Sequence, residues 1–331
     1  MTFGRPLPEV ANAGPADLEP SRRSARPVVL RGLVRDWPLV RSTDPSAELR
    51  AMDSGRPAPV MTAPAAIGGR PFYNADLTGL NFRREAASVG QVLDRLAREP
   101  DDEPAMIYMG SAPADQVAPG FAASHPAPGL PHDAAPRLWI GGAVTIQTHY
   151  DMSDNVACVA VGRRTFTLFP PEQVANLYVG PLDFNPAGQP VSLVQFDQGV
   201  DETRFPRFAK ARAAALSATL QPGDAIYIPP MWWHHVRSEG RLNVLVNYWW
   251  DEVRPGALSP FDSLVHALAA VGSLPPERRE AWRAAFDHYV FDADPDRHAH
   301  IPSHARSVLG ELDVPGFDRI RRFLVNGLTR R

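Results

Sequence analysis

A few residues in this 331-residue chain have the types and spacing that metal chemistry needs. His149, Tyr150 and Asp151 close a β-rich run, AVTIQTHY. Along a strand, residues two apart project from the same face. His149 and Asp151 therefore present an imidazole and a carboxylate together. A metal site needs a third ligand, and His234 supplies one from the end of another β-rich run, AIYIPPMWWHH. Two histidines and one carboxylate make a facial triad, which leaves positions open on iron(II) for oxygenase chemistry. His235 is the weaker candidate, because the next residue along a strand faces the other way.

Arg164 is an independent clue. In the run Arg164 to Phe169, alternation puts Arg164, Phe166 and Leu168 on one face. If that face points inward, a guanidinium sits among apolar groups. A buried unpaired charge is costly, so it requires a carboxylate partner. An arginine can hold one with two parallel hydrogen bonds. The partner is either a protein Asp or Glu or a bound dicarboxylic acid. Asn155 and Asn247, the latter inside VLVNYWW, add polar groups that a purely structural core would not select.

These residues need a scaffold. From Leu138 to Trp250, short β-rich runs alternate with turn signals: Gly141-Gly142, Gly162, Pro170-Pro171, Pro222-Gly223-Asp224 and Pro229-Pro230. Many short strands with frequent turns predict a sandwich or barrel. The stretch at about 203–216 interrupts this with a helical pattern. Upstream, Val28 to Leu30 predicts a buried strand and Ala105 to Met109 a short one. Ser88 with Gln91 has capping-box spacing. It precedes a stripe of Val89, Val92, Leu93 and Leu96, and Pro100 marks the end. Residues 111–136 have the Pro, Ala, Gly and His content of a long loop. After Pro255 the pattern is helical, with stripes at Leu264, Val265 and Leu268, at Trp282, Phe286 and Tyr289, and at Phe317, Ile320, Phe323 and Leu324. Such faces must bury against the β domain or against another copy of the chain.

Composition excludes several classes. Hydrophobic content of 44% with 21% charged residues suits a globular protein. A net charge of −3 argues against a nucleic-acid backbone as main partner. No apolar run approaches a membrane span. MTFGRPLPEV lacks the features of a signal peptide, so a soluble, cytoplasmic protein is expected. The single cysteine, Cys158, allows no internal disulfide and no Cys-rich zinc site. The 35 prolines, and one lysine (Lys210) among 34 basic residues, fit a coding bias. His298, His300 and His304 have metal-like spacing but no nearby carboxylate or thiol to complete a site, and are taken as surface residues.

The stretch HYDMSDNVACVAVGRRTFTLFPPEQ, then PGDAIYIPPMWWHHV, then NVLVNYWW, resembles the JmjC-type iron(II)/2-oxoglutarate oxygenases. Within them it is most like the subgroup of the hypoxia-inducible-factor asparaginyl hydroxylase and its bacterial cupin-like relatives. The resemblance covers about 28–251 and is strongest over 138–250. It implies a mainly β fold with added α: a double-stranded β-helix, or cupin jelly roll, at 137–251. An N-terminal arm (1–27) and an α/β region extending the barrel (28–136) precede it, and a helical region (252–331) follows.

The resemblance also implies roles. His149, Asp151 and His234 match the iron ligands. Arg164 stands where the relatives place a lysine against the distal carboxylate of 2-oxoglutarate, and Tyr108 matches a tyrosine that shares that contact. Asn155 and Asn247 match asparagines at the metal end of the cosubstrate. A threonine is expected shortly before the first histidine. Ile146 occupies that spacing with Thr145 and Thr148 on either side, and Thr145 is the favoured candidate. Trp249 matches an aromatic wall beside the iron. Apart from the resemblance, Trp232 and Trp233 are read either as lining a substrate cleft or as core packing beside the metal strand. The implied reaction uses iron(II), 2-oxoglutarate and O2, releases succinate and CO2, and hydroxylates a protein side chain or small molecule. The C-terminal helices would form a homodimer. The alternatives are a non-catalytic cupin scaffold or sensor, and a cupin metalloenzyme that does not use 2-oxoglutarate.

Overall fold

The computed structural model describes residues 3–99, 105–186, 188–294 and 296–329. The chain divides into two compact units, 1–251 and 252–331. Pro100, the expected helix stop, lies outside the described residues.

The described residues of the first unit form a sheet of twelve strands. They are β1 (Arg5–Pro6), β2 (Glu9–Val10), β3 (Val28–Leu30), β4 (Ala58–Ala63), β5 (Arg83–Ala87) and β6 (Met106–Pro113). Then follow β7 (Pro136–Gly141), β8 (Thr145–His149), β9 (Asp154–Phe169), β10 (Leu216–Leu220), β11 (Ala225–Ile228) and β12 (Trp233–Trp250).

Two long strands organise the unit. β9 has 16 residues and β12 has 18, and they pair antiparallel. The first half of β9 and the second half of β12 sit inside the sheet order β2-β3-β11-β9-β12-β7-β6-β4-β5. The second half of β9 pairs with β10, and the first half of β12 pairs with β8. Each long strand thus passes from one layer to the other, as a double-stranded β-helix requires. The sequence pattern suggested a strand break at Gly162, and β12 has a glycine of its own at Gly240. The chain bends there instead, with φ of 80° at Gly162 and 94° at Gly240. Glycine tolerates that left-handed backbone.

Alternation sorts the side chains into two cores. Val156, Cys158, Tyr227, Val244 and Val246 face outward into the largest cluster. Helix Val89–Arg98 contributes Val89, Val92, Leu93 and Leu96 to that cluster, and its capping box is formed by Ser88 and Gln91. Ala157, Val159, Ile226, Ile228 and Leu245, one position along, face inward and meet Phe166, Leu168, Leu220 and Val236 from the other layer. The inner core lines the interior in which the site lies.

Several elements differ from the sequence pattern. β6 runs on to Pro113, and the expected loop after it holds short helices at Ala114–Val117 and Phe121–Ser124. Phe121 and Val117 are buried, which anchors the segment. The expected helix at 203–216 is shorter, Phe208–Ala214, and Leu216 already belongs to β10. β4 and β5 gave no clear signal; β5 is RREAA, with four of its five residues exposed.

The second unit is helical, with Pro260–Ala270, Pro276–Phe286 and Val314–Thr329 as its main helices. Ser259 caps the first by accepting from the Asp262 amide. Leu268, Trp282, Phe291 and Phe323 are exposed. No helix among the described residues is long and apolar enough to cross a membrane.

Candidate metal centre and its cavity

β8 and β12 bring the two histidines together. His149 and His234 are register partners, with ring centroids 4.3 Å apart. Asp151 follows β8 and is fixed by the Met231 amide, which donates to its carbonyl at 2.8 Å. The Asp151 carboxylate lies 3.6 Å from His234 Nε2. Ligand atoms of His149, Asp151 and His234 all fall within 4.8 Å of one another, so these three could hold a metal ion. The alternating residues Tyr150 and Trp233 point away and pack against each other, with centroids 4.8 Å apart.

The protonation state suits ligation. His149 Nδ1 is 2.8 Å from the Gln147 carbonyl, and His234 Nδ1 is 3.0 Å from the Trp232 carbonyl. A carbonyl only accepts, so each Nδ1 carries the proton and each Nε2 keeps its lone pair for a metal. Burial, reinforced by neighbouring His149, pushes the His234 imidazole down to about 4. It is neutral at pH 7. Asp151 is oriented from behind: Asn155 Nδ2 donates to its Oδ2 at 3.1 Å. Asn247 Nδ2 donates in turn to Asn155 Oδ1 at 2.6 Å.

The triad opens into a cavity of about 300 Å³ between the layers. Arg164 and Tyr108 line it, 1% and 2% exposed. Arg164 Nε and Nη2 have no hydrogen-bond partner among the described residues. Among the described residues, no carboxylate takes the position that the sequence left open. The same cavity holds further unpartnered buried atoms: Trp139 Nε1, Trp249 Nε1 and Asn247 Oδ1. Each such group costs about 1–3 kcal/mol unless a ligand satisfies it. Donors outnumber acceptors, so an acceptor-rich anion fits. A dicarboxylate meeting Arg164 at one end and the triad at the other matches this donor set.

Asn155, Asn247 and Trp249 also line the cavity; Thr145 and Trp233 do not. β8 carries an extra residue against β12, since His149 pairs with His234 but Ile146 pairs with Val236. That irregularity brings Ile146 rather than Thr145 to the cavity wall. Trp233 packs in the outer cluster with Phe169 and Phe208, the core-packing alternative, and does not reach the cavity. Trp139 was missed by sequence reasoning. Its alternation with buried Leu138 and Ile140 in the LWI run was the available signal. The histidines at 298, 300 and 304 are not among the groups brought together as metal ligands.

Comparison with known proteins adds a family. Residues 19–255 match the cupin-like domain family. The Jumonji C domain-containing protein 5 of Drosophila melanogaster is 36% identical over 116 residues, 35% of this chain and 27% of that protein. The lysine-specific demethylase JMJ31 of Arabidopsis thaliana is 34% identical over 116 residues, 35% of this chain and 20% of that protein. The tRNA wybutosine-synthesizing protein 5 of Mus musculus is 30% identical over 148 residues, 40% of this chain and 44% of that protein. Each match thus spans less than half of the relative's length.

Proposed function

The chain belongs to the cupin-like domain family, and on that premise we propose that it is an iron(II)- and 2-oxoglutarate-dependent oxygenase. The observation that carries this reading is the buried, unpartnered guanidinium of Arg164 in the same cavity as His149, Asp151 and His234. A metal centre alone gives no reason to maintain that charge. A cosubstrate with a distal carboxylate does.

In the proposed mechanism, His149 and His234 present Nε2 and Asp151 presents a carboxylate oxygen to iron(II). Their Nδ1–carbonyl bonds and the Asn155 amide hold these groups in orientation. Arg164 binds the far carboxylate of 2-oxoglutarate, with Tyr108 beside it. The aromatic walls Trp139 and Trp249 limit water access. Bound iron(II) supplies oxygen activation, coupled to conversion of 2-oxoglutarate to succinate and CO2 and to hydroxylation of the substrate. The protein holds the open site, orients the cosubstrate and shields the cavity.

The substrate class in this reading is a protein side chain or a small molecule, and the motif resemblance favours the asparaginyl-hydroxylase subgroup. An unstable hydroxymethyl product would make the outcome a demethylation. A homodimer through residues 252–331 belongs to the same proposal, supported by the exposed Leu268, Trp282 and Phe323. Sedimentation of the full chain tests it by mass.

Anaerobic titration tests the function. Iron(II) is expected to bind one per chain, and 2-oxoglutarate is expected to produce an absorption band only in its presence. Succinate should then form in an oxygen-dependent way. His149→Ala should lose metal binding and turnover. Normal turnover in His149→Ala would sink the metal assignment. Iron binding with no spectral response to 2-oxoglutarate would favour a scaffold or a cupin metalloenzyme of another kind.

A further inference from the structure

β12 has two faces at the metal-binding end. His234 faces inward, and His235 faces out of the β8–β12–β9–β10 layer into a separate cleft of about 420 Å³. His235 is 3% exposed, and its Nε2 has no hydrogen-bond partner among the described residues. Asp197 lies across from it, with Oδ1 equally unpartnered. The two atoms are 3.9 Å apart, too far to bond each other. Arg70 holds the other Asp197 oxygen at 2.9 Å, so the carboxylate is fixed with one oxygen turned to the cleft. The proposed oxygenase chemistry uses neither group.

We propose that this cleft binds a small neutral polyol, of monosaccharide type, between His235 and Asp197. The chemistry of the lining selects this class. A carboxylate oxygen only accepts, so the ligand must donate to Asp197. A hydroxyl can donate or accept, so it suits His235 Nε2 in either tautomer. Thr165, Thr167 and Thr219 add a strip of hydroxyls along the floor. Phe196 lies 4.5 Å from the His235 ring and Phe3 stacks on Phe196 at 4.3 Å, giving an apolar side for C–H groups. On the rim, Arg163 and Arg237 share the single carboxylate of Glu239. At the inner end, Arg70 pairs with one Asp197 oxygen, and the other oxygen, an acceptor turned to the cleft, disfavours a phosphate or carboxylate there and favours a neutral donor. The proposal does not depend on 2-oxoglutarate use.

The test uses the full chain with D-ribose, D-glucose and myo-inositol as probes and inorganic phosphate as control. Saturation-transfer NMR and calorimetry read binding. At least one polyol is expected to bind saturably, and phosphate is not. Asp197→Asn should weaken that binding at least about tenfold, the effect of losing one charge-assisted hydrogen bond. Thr167→Val, on the floor, should weaken it several-fold and serves if Asp197→Asn does not fold. Failure of all three polyols to bind overturns the proposal and leaves the gap to an ordered water. Binding of phosphate in their place overturns the ligand class. Polyol binding unchanged in a folded variant overturns the site.

Discussion

His149 and His234 stand opposite each other on β8 and β12, and each is tied to the carbonyl two residues before it, Gln147 and Trp232. The two rings are therefore fixed by their own strands, in the same tautomer and without help from another side chain. What remains adjustable is Asp151, which sits beyond the strand and relies on Asn155.

Asn155→Ala removes the amide that donates to the Asp151 carboxylate. Loss of an outer partner of this kind costs about 10- to 100-fold in metal affinity. Iron(II) or cobalt(II) titration should show that loss while the circular dichroism spectrum stays that of the parent.

Arg164 separates stability from function. Arg164→Met removes a buried unpartnered charge, so the ligand-free protein should gain about 1–3 kcal/mol. Denaturant unfolding measures it. The same variant should lose the stabilisation that 2-oxoglutarate with metal gives the parent. Arg164→Lys should keep part of that response, because an ammonium retains the charge without the two parallel hydrogen bonds. Arg164→Ala should lose it.

Gly162 is where β9 changes layer. Its φ is 80°, and a Cβ there would lie 2.2 Å from Asn243 Oδ1. Asn243 is fully buried and cannot easily move aside. Gly162→Ala should destabilise the unit by about 1–3 kcal/mol, through strain of a left-handed non-glycine residue plus that contact. A midpoint unchanged from the parent in urea unfolding would contradict it.

Asp197 gives a pH signature. Burial works to raise its carboxyl, but His235 and then Arg70 outweigh this and hold it down to about 2. The unfolded value is about 3.9. The contribution to stability is therefore complete above about pH 4 and is lost as pH falls towards 2. Parent and Asp197→Asn should differ by a constant amount from pH 7 to 5, and the gap should close near pH 2. Urea midpoints across that range check it.

Much of this was legible in the residues. The H-x-D pair, the distant strand histidine and the inward set Arg164, Phe166 and Leu168 follow from a period of two, and a local pattern carries that period. The Ser88 capping box and the stripe of Val89, Val92, Leu93 and Leu96 were equally local. Two kinds of information were not. Strand continuity through Gly162 and Gly240 depends on what pairs alongside, so a turn and a bend read alike. Register irregularities depend on the partner strand: the extra residue in β8 sends Ile146, not Thr145, to the cavity.

Which groups could act is written along the chain, because side-chain chemistry and alternation are local properties. Which of them meet depends on how distant segments pack. Convergence of His149 and His234, exclusion of Trp233 and the want of a partner for Arg164 each depend on segments far apart in the chain. Burial turns that last vacancy into an energetic demand: in water the guanidinium would need nothing, and between two sheets it needs an anion.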